Sequence, residues 1–211
     1  MCRLIPFVLC VLFTCTASAT VLVPAEFREI VAGSEIIAYA RVVDVRPEWA
    51  DGRRWVNTVV TVDVVTYFKG GSDPSTIDFL VPGGTLGRYR SVLIGAPVFE
   101  RGDEAVLFLT TRETDRPRVF GLNQGVFRVR PDTRTGQRMV VPPPLIAKAS
   151  DKPERVTRGA LDRRPLAVDA FGARVREVMT SLKNDAAAKG NYEAPAGRTP
   201  GAKGPIKKGM R

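Results

Sequence analysis

Residues 55–70, WVNTVVTVDVVTYFKG, form an unbroken run of Val, Thr and aromatic residues, and no other stretch constrains the fold as much. These residue types suit a pleated, half-buried surface. Val56, Val60, Val62, Val64 and Phe68 share one parity, which period 2 places on one face of a strand. The opposite parity carries Asn57, Thr61, Asp63 and Tyr67, a mixed face that can meet water. A helix fits poorly, because six valines restrict χ1 and lower helix propensity. A straight strand of this length would span about 50 Å. That is too long for a domain of this size, so the strand must coil, as strands do when a sheet closes into a barrel. Lys69-Gly70-Gly71 stops it.

The flanking residues supply the rest of a β-rich domain. Pro24–Ala32 reads as a short helix, with Phe27, Ile30 and Val31 as its apolar stripe and Gly33 after it. Ile36–Arg46 is a strand with apolar residues on both parities, and Asp51-Gly52 marks a hairpin into residues 55–70. Ile77, Phe79 and Val81 alternate as a third strand, ended by Pro82-Gly83-Gly84. Arg88–Ile94 reads as a short strand or an ordered loop, and Ala105–Leu109 as a core strand. Shorter strands follow around Val119–Leu122, Val126–Arg130 and Met139–Val141, before Pro142-Pro143-Pro144. Many short strands between Gly, Pro, Asn and Asp turns predict an antiparallel sandwich or barrel. From Pro165, suited to the first helical position, Leu166, Phe171, Val175, Val178, Met179 and Leu182 recur at helical spacing. They predict one amphipathic helix of about 18 residues packed on the barrel. The expected organisation is a signal peptide (1–19), a β-barrel domain (20–146), a linker and helix (147–183) and a disordered basic tail (184–211).

Arg3, the apolar run Leu4–Cys15 and Ala17-Ser18-Ala19 together have the form of a secretory signal peptide cleaved near Ala19-Thr20. The expected localisation is therefore periplasmic or secreted, with no transmembrane helix left after cleavage. The three cysteines, Cys2, Cys10 and Cys15, all lie in that segment, and the chain has no histidine. Ser-His-Asp and Cys-His nucleophile systems and His/Cys zinc sites are thereby excluded from the mature chain. No phosphate-binding GxxxxGK[ST] run and no Ser-x-x-Lys pair occurs. No cofactor or metal site is expected. The expected class is a non-enzymatic binding module for a protein or a cell-envelope component. A carboxylate-based hydrolase stays open as an alternative, because Asp and Glu number 22. The net charge of +10 falls to +9 without Arg3. Residues 189–211 hold six basic residues against Glu193, so a second alternative is a polyanion binder acting through its tail.

Ser34–Val42 leads into the long strand ending Tyr67-Phe68-Lys69-Gly70, and Phe99–Glu104 precedes Val106–Leu109. That order resembles netrin-like modules and the tissue inhibitors of metalloproteases, whose fold is a five-stranded OB-type barrel. It is also similar to exported bacterial proteins sharing the order Lys69-Gly70, Pro82-Gly83-Gly84, Phe99–Leu109 and Gln124–Phe127. The resemblance covers about residues 30 to 130 and implies a small antiparallel OB-like barrel. The inhibitors chelate zinc through an N-terminal cysteine, which a chain starting near Thr20 lacks, so none of their functional residues can be placed here. OB barrels also hold oligonucleotides through basic grooves and stacking aromatics. Arg88-Tyr89-Arg90 is the best local match, helped by Tyr39, Arg41, Trp55 and Phe127. Export argues against nucleic acid as the physiological ligand. The candidate ligand face is accordingly Trp55, Asn57, Thr61, Asp63, Tyr67, Arg88, Tyr89 and Arg90.

Overall fold

A computed structural model describes residues 24–71, 76–111, 116–143 and 164–192. Strand β1 (Ile36–Ala50) turns at Asp51–Arg54 into β2 (Trp55–Lys69), and the two pair antiparallel along their full length. Asp51, Gly52 and Arg53 all have positive φ, the left-handed backbone that a tight hairpin demands. β1 is four residues longer than the sequence suggests, because Pro47 does not end it but pairs with Thr58. Register shifts at Ile37/Ala38, Tyr39/Ala40 and Val42/Asp44 bend β1 and let the long hairpin coil.

β3 (Thr76–Pro82) lies along β2, and β6 (Glu104–Thr110) pairs antiparallel with β1 from Ile36 to Arg41. β7 (Arg118–Val119) bridges β6 to β3, and the circuit β1-β2-β3-β7-β6 closes back on β1 as a five-stranded barrel. The expected OB-like barrel is thus what the chain adopts, with one departure from a purely antiparallel sheet. The β3–β7 join is parallel, at Leu80 opposite Arg118, where the Leu80 N–H donates to the Pro117 carbonyl at 2.8 Å. The strand expected at Val119–Leu122 instead spans Arg118–Val119 and ends there, and a turn through Gly121 and a 3-10 turn (Leu122–Gly125) redirect the chain into β8 (Val126–Pro131). β8, β9 (Arg138–Val141) and β10 (Leu166–Ala167) extend the sheet from the second edge of β6. A separate hairpin, β4 (Gly84–Leu86) and β5 (Tyr89–Ser91), follows β3.

The apolar residues sort into two layers. Val60, Val62, Phe79, Val81, Phe99, Leu107 and Leu109 fill the barrel, with the Phe79 and Phe99 rings edge to face at 5.4 Å. Ile37, Val106, Phe108 and Phe127 point outward, beneath helices α1 (Phe27–Gly33) and α2 (Val168–Tyr192). This explains the apolar residues on both parities of β1 and β6: both strands are buried on two faces. In the outer layer Phe27 sets its ring 5.6–6.0 Å from Phe108, Phe127 and Phe171.

Both helix boundaries differ from the sequence reading. α1 starts at Phe27 rather than Pro24, because the Glu26 N–H donates to the Glu29 carboxylate at 3.0 Å and fixes the first turn there. Pro165 does not open α2; it precedes β10, whose pairing with β9 delays the helix to Val168. α2 then runs past Lys183 to Tyr192, so residues 184–192, read as the start of a tail, are helical. Ala186-Ala187-Ala188 favour the helix, and Arg28 bonds both Ser181 and Asp185 across it. The linker 147–163 and the tail 193–211 lie outside the described residues.

Gly70 ends β2 with φ +71°, and a Cβ there would sit 1.8 Å from the Glu35 carbonyl oxygen. Gly52 has φ +62° but faces open space. Gly52→Ala should therefore cost only the left-handed backbone term, about 1 kcal/mol, and Gly70→Ala about 3 kcal/mol or more. Urea unfolding of the two variants measures both; equal costs would contradict this packing at the β2 end.

Candidate functional site

The eight sequence-predicted residues do not form one face. Asn57 is buried, as is Val59 on the same supposedly wet parity, while the β4–β5 hairpin packs on the neighbouring Val56 and Thr58. A Cβ on Gly84 would meet the Thr58 hydroxyl, the Val56 side chain and the Asn57 carbonyl. The Thr58 hydroxyl donates to the Gly83 carbonyl at 2.7 Å, and the Val56 N–H donates to Ser91 Oγ at 2.9 Å. Thr61 donates to Asp78 at 2.6 Å and accepts from Arg46 at 3.1 Å, within an ion-paired cluster on the barrel wall. Exposed Asp63 accepts from Thr76. Tyr67 lies twelve residues along β2 from Trp55, its ring against Gly71. Tyr39 and Phe127, considered above as stacking residues, are core residues at 6 % and 3 % exposure.

Arg88, Tyr89 and Arg90 lie together in the β4–β5 hairpin, next to the β1–β2 turn, where Trp55 opens β2 opposite Ala50. The ring of Tyr89 meets Trp49 edge to face at 5.1 Å, and the Arg88 guanidinium lies 5.0 Å from the Tyr89 ring centre. Arg88 also donates to the Tyr89 hydroxyl at 2.9 Å. Arg53 and Arg54 are exposed in the adjoining turn. Residues 92–98 then cross the barrel mouth, with Phe99 plugged into the core beyond them. A cavity of about 330 Å³ opens there, walled by Thr58, Pro82, Arg90, Leu93, Pro97 and Phe99.

The sequence reading missed Trp49, the two turn arginines and the exposure of Val92-Leu93-Ile94. The available signal was an aliphatic triplet running straight into Gly95-Ala96-Pro97, which cannot continue a strand. Of the six large apolar residues exposed among those described, five lie between Tyr89 and Val98; Ile94 is 87 % and Val98 75 % exposed.

A second, polar cleft of about 690 Å³ lies beside β6, β8 and β9 and is lined by Asp103, Glu104, Arg128, Arg130 and Arg138. Glu104, Arg138, Asp103 and Arg128 are paired within it. Glu104 accepts from Arg138 at 2.8 Å, from the Tyr39 hydroxyl at 2.5 Å and from Arg41 at 2.6 Å. Arg138 above all, then Tyr39 and Arg41, hold the Glu104 carboxyl down at about 2. Burial, followed by the hydrogen bond to Glu104, pushes Tyr39 up to about 12. In the same cleft Arg128 pairs with Asp103 at 2.6 Å.

Asp44 and Asp78 are likewise held below the ordinary carboxylate range, Asp44 chiefly by Arg101 and Asp78 chiefly by the Thr61 hydroxyl. Among the described residues no group of three acidic, Cys or His side chains could hold a metal ion, and no helix is long and apolar enough to cross a membrane. No family model, curated protein or solved structure matches the chain. The likeness to netrin-like modules therefore rests on the sequence order alone.

Because Glu104 titrates lower in the folded chain than its ordinary 4.5, its contribution to stability is present above that value and is lost as pH falls toward about 2. Unfolding midpoints measured from neutral pH down to that range should drop for the natural chain and follow a flatter profile in Glu104→Gln. Parallel profiles would contradict the assignment.

Proposed function

We propose that the protein is an exported binding module, and that its recognition surface is the barrel end formed by the β1–β2 turn, the β4–β5 hairpin and residues 92–98. The observation that carries this reading is the concentration of exposed apolar side chains between Tyr89 and Val98, on a domain whose other apolar residues are largely buried. Contiguous exposed apolar surface beside a cleft and polar groups is characteristic of interaction sites. The rigid barrel beneath holds that surface in place, as scaffolds do for the loops that bind.

Catalysis finds less support. A carboxylate acting as general acid needs its pKa raised. The resolved shifts of Asp44, Asp78, Glu104 and Asp132 are all downward. The export reading rests on residues 1–19, outside the described residues, and the tail alternative on residues 189–211, of which 193–211 lie outside them.

A photo-crosslinking residue placed at Val92 or Ile94 in cells should give discrete adducts, and one placed at exposed Thr66, far along β2, should not. Silence at both loop positions would overturn the reading.

A further inference from the structure

We infer that the occupant of this barrel end is an anionic lipid surface. The inference rests on the reading of that end as the recognition surface and gives it a partner. Three features of the same end carry it. Val92, Leu93 and Ile94 project as a consecutive aliphatic ridge, at 61 %, 40 % and 87 % exposure. Such a ridge can enter the boundary between headgroups and acyl chains, where buried apolar area sets binding strength.

Cationic groups lie at the same end, and Arg90 lines one cavity with Val92 and Leu93. Segments 49–55 and 84–98 hold Arg53, Arg54, Arg88 and Arg90 against a single carboxylate, Asp51. None of these four arginines has an ion pair among the described residues, whereas Arg41, Arg46, Arg101, Arg116 and Arg138 on the barrel wall each hold a carboxylate. Unneutralised arginines beside an apolar tip complement an anionic headgroup layer. Trp49, Trp55 and Tyr89 add the amphipathic rings that favour the membrane–water interface.

Single-stranded nucleic acid fits the same end less well. Arg88 lies over the Tyr89 ring and Trp49 meets that ring edge to face, so the stacking surface a base needs is engaged. A base-stacking groove also has no use for an exposed aliphatic ridge.

The chain's two tryptophans both sit at this end, so their emission reports on it specifically. The full chain is mixed with vesicles of equal parts phosphatidylglycerol and phosphatidylcholine, with brominated lipid as quencher, and with pure phosphatidylcholine vesicles. Binding to the anionic vesicles alone, with blue-shifted and quenched tryptophan emission, is expected. Arg88→Gln/Arg90→Gln should weaken it about 25-fold, from roughly fivefold per arginine. Val92→Ser/Leu93→Ser/Ile94→Ser should weaken it about tenfold at unchanged circular dichroism. Vesicle binding with unquenched tryptophans, or binding unaffected by both variants, would assign the contact to another segment and overturn the inference. Tighter binding to a single-stranded oligonucleotide than to vesicles would also overturn it. Absence of vesicle binding with crosslinks retained at Val92 and Ile94 would overturn the lipid assignment alone; loss of both would overturn the recognition surface as well.

Discussion

Strand β6 is the constraint on which the rest depends. One of its edges pairs with β1 and closes the barrel, and the other pairs with β7 and β8. Its faces are equally committed, Leu107 and Leu109 filling the barrel and Val106 and Phe108 meeting the layer under the helices. A strand used on two edges and two faces fixes where β1 must curve and where the helices dock. Removing any one partner would expose either unpaired backbone or apolar surface, and both are costly.

Commitment falls off away from β6. The helices cover one side of the barrel, and ion pairs such as Arg46–Asp78 and Arg116–Glu48 occupy its wall. At the mouth, Phe99 and buried Pro97 anchor residues 92–98, yet Ile94 and Val98 face outward. The same segment thus contributes to the core and presents apolar surface. That combination holds the ridge in a defined position, which lowers the ordering cost of binding.

Much of the barrel was legible because local chemistry and tertiary role agree in it. The valines of β2, the Asp51-Gly52 turn and the apolar run of β6 each point to the element they form. The site was legible only in part. Arg88, Tyr89 and Arg90 stand out as residues, but Trp49 reads as part of a polar loop because Pro47 looks like a strand end. Asn57 is polar by type and yet buried, which no alternation pattern reveals. Val92-Leu93-Ile94 has strand composition, and only the Gly95-Ala96-Pro97 that follows it marks a loop. The extent of α2 was misread because an alanine-rich, charged segment has the composition of both a helix and a tail.

Hydrogen–deuterium exchange on the full chain, with and without phosphatidylglycerol vesicles, tests the central claim most directly, since it reports barrel and recognition surface together. Slow exchange at residues 36–41 and 104–109 in both states, with new protection confined to residues 49–55 and 84–98 on vesicles, is the predicted result. New protection elsewhere that leaves residues 84–98 unchanged would contradict it.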